Sequence, residues 1–167
     1  AFLHTPGLKI VYPSTASDAY GLLKAAIRDE DPVLFFEHKY LYRRIKDTLP
    51  GGDHVVPIGK ARLARDGRDL SIITYAATVW KALEAAEQLE KEDGLSVEVL
   101  DLRSLLPMDD EAIVATVKKT NRVMIVHEDT RTGGVAGEVT ARITEQAFAW
   151  LDAPILRVTA ADVPLPY

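Results

Sequence analysis

LSIITYAATVWKALEAAEQLEKEDGLSVEVL, residues 70–100, decides the fold class of this chain. Leu70 to Tyr75 is an apolar, β-branched run of strand length. Val79, Leu83, Ala86 and Leu89 then recur at helical spacing, so one face of that segment is apolar. Gly94 follows, where a helix ends best on a residue that tolerates a left-handed backbone. Val97 to Leu100 is a second strand. A strand, a long helix and a strand in this order predict parallel pairing, because the helix carries the chain back to the same end of the sheet.

The same alternation continues on the C-terminal side. Met108 to Lys118 reads as a helix, with Asp109, Asp110 and Glu111 at its start and Lys118 and Lys119 at its end, the charge order that the helix dipole favours. Val123 to Val126 reads as a strand. Val135 to Trp150 reads as a helix with Val139, Ile143 and Ala147 on one face, and Ile155 to Val158 as a last strand. On the N-terminal side, Ala61 to Leu63 and Leu70 to Tyr75 flank Asp66-Gly67. That pair suits a tight turn, so the two runs are expected to form a hairpin that adds one antiparallel strand.

Residues 46–60 break the pattern. Pro50, Gly51, Gly52, Asp53 and Pro57 bring dense turn chemistry and no periodicity. Before them, Leu8 to Tyr12 reads as a strand stopped by Pro13, and Ser14, Thr15 and Ser17 are candidate helix caps. Ala19, Leu22, Leu23, Ala26 and Ile27 mark a helix that Asp29 to Pro32 closes. Val33 to Phe36 is a continuous apolar run, expected to be covered on both faces. The fold class is therefore α/β with a mainly parallel sheet, in two pieces: residues 1–45 finish one α/β domain, 46–55 link, and 56–167 form a second, nearly complete one.

The 167 residues are 47% hydrophobic and 27% charged with a formal net charge of −5, a balance that argues against a nucleic-acid partner. Basic residues do gather at Lys39, Arg43, Arg44 and Lys46, read as a solvated or subunit-facing segment. There is no cysteine, which removes disulfides and thiolate chemistry. No apolar run reaches membrane-spanning length, so no membrane partner is expected. Ala1 opens without a methionine and Pro164-Leu165-Pro166-Tyr167 carries no closing element, so both ends look cut.

Candidate chemistry is sparse. His4, His38, His54 and His127 show no metal-ligand spacing. Glu37 and His38, adjacent on strand-like sequence, are expected to point to opposite faces. His127 and Glu128 follow a strand at its carboxyl end, where open α/β sheets place ligands, although a hydrogen-bonded structural histidine is the favoured reading. Thr132-Gly133-Gly134-Val135-Ala136-Gly137 lies between a strand and a helix. It could cradle an anion or serve close packing.

The wording of the sequence adds a resemblance. His4-Thr5-Pro6-Gly7-Leu8-Lys9, Gly21-Leu22-Leu23-Lys24-Ala25-Ala26-Ile27-Arg28-Asp29 and Phe36-Glu37-His38-Lys39 with Leu41-Tyr42-Arg43 are similar to the β subunit of the thiamine-diphosphate-dependent decarboxylating component of 2-oxo acid dehydrogenase complexes. Pro57-Ile58-Gly59-Lys60-Ala61, Val99-Leu100-Asp101-Leu102-Arg103, Leu106-Pro107-Met108-Asp109 and His127-Glu128-Asp129 agree, so the likeness covers the whole chain in order.

The resemblance implies the end of a pyrimidine-binding domain followed by a transketolase C-terminal-like three-layer α/β/α domain whose last elements are missing. It implies thiamine diphosphate and magnesium as cofactors, held by the missing half and the α subunit, and no catalytic or cofactor-binding residue in this chain. Some relatives bind structural potassium at the end of the helix before Pro32, which maps to Ala26, Ile27, Asp29 and Asp31; Asp31 departs from the usual Asn. The implied partners are an α subunit, a second β subunit (α2β2) and a lipoyl-bearing acyltransferase core. The implied compartment is the bacterial cytoplasm or the mitochondrial matrix. A branched-chain substrate is favoured over the pyruvate or acetoin type. A transketolase-like enzyme with an anion site at Arg131 and a non-catalytic interaction module stand as alternatives.

Overall fold

The helices are set by local chemistry at their ends. The first, α1 (Ala16–Arg28), begins where the Thr15 hydroxyl accepts the Asp18 N–H. The second, α2 (Thr78–Asp93), ends at Gly94 with φ +69°. The third, α3 (Asp110–Thr120), is capped by the Asp109 carboxylate and ends at Asn121, also left-handed. The fourth, α4 (Val135–Ala147), passes into a 3-10 turn at Phe148–Trp150, two elements where the periodicity predicts one helix. The computed structural model describes residues 2–164, so the expectations about Ala1 and residues 165–167 lie outside the described residues.

Among the described residues, eight strands form two sheets. They are β1 (Lys9–Val11), β2 (Val33–Phe35), β3 (Arg62–Arg65), β4 (Leu70–Thr74), β5 (Val97–Asp101), β6 (Ser104–Leu106), β7 (Val123–Thr130) and β8 (Leu156–Ala160). The larger sheet has the order β3-β5-β4-β7-β8, parallel except for β3. Helix α2 covers one face, packing Ala82 and Ala86 on Ile72, Val97 and Val99. Helices α3 and α4 cover the other, where Ile113, Val117, Val139 and Ile143 meet Ile73, Leu100 and Ile125. This is a three-layer α/β/α arrangement.

Two expectations need correction, and one strand was not foreseen. The Asp66-Gly67 hairpin does not form: β3 is antiparallel as expected, but it pairs with β5, and β5 lies between it and β4. The turn crosses the start of β5 so closely that a Cβ on Gly67 would sit 2.2 Å from the Glu98 nitrogen. Asp66 there joins Lys119 and the buried Glu98 in an ion-paired cluster. Second, β2 is half-buried rather than covered on both faces, because it is the edge of the small sheet β2-β1-β6. Strand β6 went unread in the sequence. It pairs antiparallel with β1, Ile10 opposite Leu106, so the downstream segment completes the upstream sheet.

Residues 46–60 hold no helix or strand, and they are pinned to α1. Asp53 takes the Arg28 guanidinium at 2.8 and 2.9 Å, which together with Lys24 holds its carboxyl down at about 2. Val56 is buried against Leu22 and Val11. Gly21 makes that approach possible: a Cβ there would lie 2.5 Å from Val56 Cγ2.

Candidate functional site at the seam between the two sheets

The carboxyl ends of β1 and β2 face those of β4 and β7. Aromatic rings fill the gap. Tyr12 lies 5.8 Å from Tyr75, 5.7 Å from Phe36 and 6.3 Å from the imidazole of His38, on which it stacks. Tyr75 in turn lies 6.1 Å from His127. Burial raises the pKa of both phenols, more for Tyr75, so both stay neutral.

His38 closes the seam. Its Nε2 lies 2.8 Å from each oxygen of Glu128, joining the end of β2 to the end of β7. Glu37 accepts the Tyr42 hydroxyl at 2.8 Å. The expectation that Glu37 and His38 point to opposite faces does not hold. The strand stops at Phe35, alternation ends with it, and both residues border one cavity of about 300 Å³.

His127 lies inside β7 rather than after it, since that strand runs to Thr130. It is 2% exposed, and its Nε2 accepts the Ala136 N–H at 3.2 Å, capping the start of α4. The ring proton then belongs on Nδ1, and burial pushes the pKa below the ordinary value. The glycine-rich loop is shaped around this ring. A Cβ on Gly134 would stand 2.4 Å from the Thr130 oxygen and 2.7 Å from His127 Cε1. Close packing thus accounts for Gly134.

The loop also holds an anion, and it is the protein's own. The Asp162 carboxylate, just past β8, accepts the Thr132 N–H at 2.9 Å and the Thr132 hydroxyl at 2.8 Å, which lowers its pKa. The neighbouring Gly137 N–H goes to the Gly134 carbonyl. Arg131, Arg142 and Arg157 line a cleft of about 530 Å³ beside the loop, and Arg142 is held there by Asp110 and Glu138.

Below the aromatic seam lies a buried ionic junction that the sequence reading missed. Asp18, on the inner face of α1, accepts Arg103 Nη1 at 2.7 Å and faces Arg62 Nε at 3.0 Å. Asp101, fully buried at the end of β5, accepts Arg62 Nη2 at 3.0 Å and the Ser14 hydroxyl at 2.5 Å. Arg103 also donates to the carbonyls of Lys60 and Ala61. Burial raises the Asp101 pKa, and Ser14 and Arg62 oppose it. Two cations and two anions leave the junction neutral. Trp80 of α2 adds a hydrogen bond to the Ser14 carbonyl. One signal for this cluster was present in the sequence: Asp18 stands four residues before the buried Leu22, on the face meant for apolar side chains.

At the end of α1, the Lys9 ammonium lies 2.7 Å from Asp29 and 3.0 Å from Asp31, and it lowers the Asp29 pKa. The Ala26 carbonyl receives the Asp29 N–H at 3.4 Å, and the Ile27 side chain is exposed. The structure thus brings the two carboxylates together around an internal cation. Among the described residues no group of three His, Cys, Asp or Glu side chains could hold a metal ion, and no helix is long and apolar enough to cross a membrane. The carboxylates and guanidinium groups pair across the seam, as at a junction between two pieces, while His38 Nδ1, His127 Nδ1 and Arg62 Nε are buried without a hydrogen-bond partner.

Two family models match the chain. Residues 59–167 match the family model described as transketolase, C-terminal domain, and residues 1–45 match transketolase, pyrimidine binding domain. The chain is 55% identical over 167 residues to the 2-oxoisovalerate dehydrogenase subunit beta of Bacillus subtilis, covering 99% of this chain and 51% of that protein. It is 48% identical over 165 residues to the mitochondrial 2-oxoisovalerate dehydrogenase subunit beta of Dictyostelium discoideum, covering 99% of this chain and 45% of that one. With the pyruvate dehydrogenase E1 component subunit beta of Bacillus subtilis it shares 49% identity over 162 residues, 97% of this chain and 50% of the other. A solved structure titled split gene transketolase, inactive beta4 tetramer, superposes with a TM-score of 0.78 at 27% identity, over 95% of this chain and 50% of that one. The chain spans about half the length of the relatives it matches.

Proposed function

Because this chain belongs to the transketolase C-terminal domain family, with residues 1–45 matching the pyrimidine-binding domain that precedes it, we propose that it is part of the β subunit of a thiamine-diphosphate-dependent 2-oxo acid dehydrogenase. The proposed reaction is oxidative decarboxylation of a branched-chain 2-oxo acid, with transfer of the acyl group to the lipoyl arm of an acyltransferase. The observation that carries this reading is the 55% identity with a 2-oxoisovalerate dehydrogenase β subunit, against 49% with a pyruvate dehydrogenase one.

The described residues do not fit thiamine diphosphate or magnesium by themselves. The loop that could take a phosphate is filled by Asp162, and there is no acidic metal-binding set among them. No chemical step is therefore assigned to this chain. Its role is to hold the upstream domain against the downstream one through the Asp18–Arg103–Arg62–Asp101 junction and the His38–Glu128 pair. In this reading the cofactors sit with the rest of the β subunit and with an α subunit in an α2β2 assembly, in the bacterial cytoplasm or the mitochondrial matrix.

The test is assembly of the complete β subunit with its α partner and measurement of kcat/KM for 3-methyl-2-oxobutanoate and for pyruvate. A clear preference for the branched acid supports the reading. A preference for pyruvate moves the chain to the pyruvate type, and absence of either activity overturns it.

We also propose a monovalent-cation site at the C-terminal end of α1, formed by Ala26, Ile27, Asp29 and Asp31. The carbonyls and dipole of a helix end favour a cation there, and the two carboxylates exceed the single charge of Lys9. Potassium is expected to raise the melting temperature of the assembled subunit more than sodium at equal ionic strength. Equal curves in the two salts would remove the site.

A further inference from the structure

The basic segment that the sequence singled out has no part in the junction or in the proposed reaction. Lys39, Arg43, Arg44 and Lys46 stand on a 3-10 turn (Lys39–Leu41) and the turns after it, all exposed. They bring four positive charges into eight residues of a chain whose net charge is −5. Several exposed cations elsewhere meet acids: Arg28 meets Asp53, Lys60 meets Glu111, and Lys81 meets Glu84. Among the described residues, none of the four meets a carboxylate. Arg44 instead lies 4.1 Å over the ring of Tyr40, an arrangement that holds the guanidinium in place with its N–H groups free.

The segment is also a ridge between two clefts. One, of about 300 Å³, lies against α1; the other, of about 520 Å³, lies against the start of α2 and the indole of Trp80. Leu41 and Ile45 form part of both floors. Tyr42 on the ridge is 63% exposed. Arginine and tyrosine over apolar pockets, with unpaired charge at the rim, are the composition of a protein-binding surface. Nucleic acid fits less well, since Leu41 and Ile45 floor both clefts, which makes them seats for apolar side chains rather than for a phosphate chain.

We infer that residues 39–46 form a docking ridge for a partner protein that presents an acidic segment, with apolar side chains of that segment seated in the two clefts. The charge complement selects the partner and steers its approach, and the clefts hold it. This inference does not depend on which 2-oxo acid is the substrate.

The test uses the complete subunit in its native complex. A carbodiimide joins an amine to a carboxylate only where the two touch. The expected result is a cross-link from Lys39 or Lys46 to an Asp or Glu of another chain, located by mass spectrometry on unaltered protein. The Arg43→Glu/Lys46→Glu variant should melt at an unchanged temperature and bind that chain about tenfold more weakly at low salt, with a flatter salt dependence. Cross-links confined to carboxylates of the same chain would overturn the inference, as would affinity that the variant leaves unchanged. Binding of a short labelled DNA strand that the variant abolishes would overturn it too, making the ridge a nucleic-acid surface.

Discussion

Arg103→Met removes the best-buried cation from the junction while keeping its length and apolar stem. Arg103 is 9% exposed and has φ +55°. Met is as strained there as Arg, so backbone relief does not mask the effect, as a glycine would. The change leaves Asp18 with Arg62 and the Thr15 hydroxyl, and leaves the carbonyls of Lys60 and Ala61 without their guanidinium donors. Breaking a buried ion pair costs about 3–5 kcal/mol when the remaining charge is uncompensated. Since Arg62 still compensates Asp18, the ionic part falls to about 2 kcal/mol, and the two carbonyls add about 1–2 kcal/mol. The total is about 3–4 kcal/mol, or a urea midpoint lower by about 1.5–2 M at a slope of about 2 kcal/mol/M. Trp80, bonded to the Ser14 carbonyl across the same junction, supplies a fluorescence signal for the transition. In a double-mutant cycle with Asp18→Asn, the pair should couple by about 1 kcal/mol or more. A loss below about 1 kcal/mol for Arg103→Met, or strictly additive variants, would show that the junction does not hold the two pieces together.

Three further outcomes are expected. Gly134→Ala should cost about 2–3 kcal/mol in urea unfolding, because its Cβ meets the Thr130 carbonyl and the His127 ring at once; a neutral result would mean the loop moves freely. Burial lowers the His127 pKa below its ordinary 6.5, so the unfolded chain takes up that proton first. Its contribution to stability is complete above pH 6.5 and declines as the pH falls toward the folded-state value; His127→Gln should lessen the slope of midpoint against pH in that range. The 167-residue chain alone, given thiamine diphosphate and magnesium, should turn over no 2-oxo acid, and any measured turnover would refute the assignment of the chemistry to other parts of the assembly.

The helices and most strands were legible because each is one run of period 3.6 or one apolar burst with a local stop. Gly94, Asp109 and Thr15 mark ends that the structure keeps. Pairing was not legible in the same way. Asp66-Gly67 predicts a turn, and a turn is what it makes, but which strand lies beside β3 depends on β5, some thirty residues on, fitting between β3 and β4. Strand β6 escaped notice since Ser104–Leu106 is three residues long and draws its partner from β1. At the seam, the sequence places His127 and Glu128 just past a strand, but β7 runs on to Thr130 and holds both, the one buried and the other paired with His38. Arg103 and Asp18 were passed over because each is a charged residue in an apolar phrase, and only the fold shows that they meet. The Glu37–His38 expectation lost its premise for a plainer reason: the strand ends at Phe35, and alternation has no meaning two and three residues past that end.

The pairing of β6 with β1 also sets an order of events during synthesis. Strands β1 and β2 can join as soon as α1 has formed between them, since the whole unit is contiguous. The second edge of β1 stays open until Leu106 leaves the ribosome, about 95 residues after Val11, which is a wait of about 5–20 s at ordinary translation rates. For that interval Ile10 and Val11, both buried in the finished protein, stand at an unclosed β-edge in a crowded cell. A slow codon cluster between positions 46 and 100 would lengthen the interval, and a chaperone that grips extended apolar segments would have its best target there.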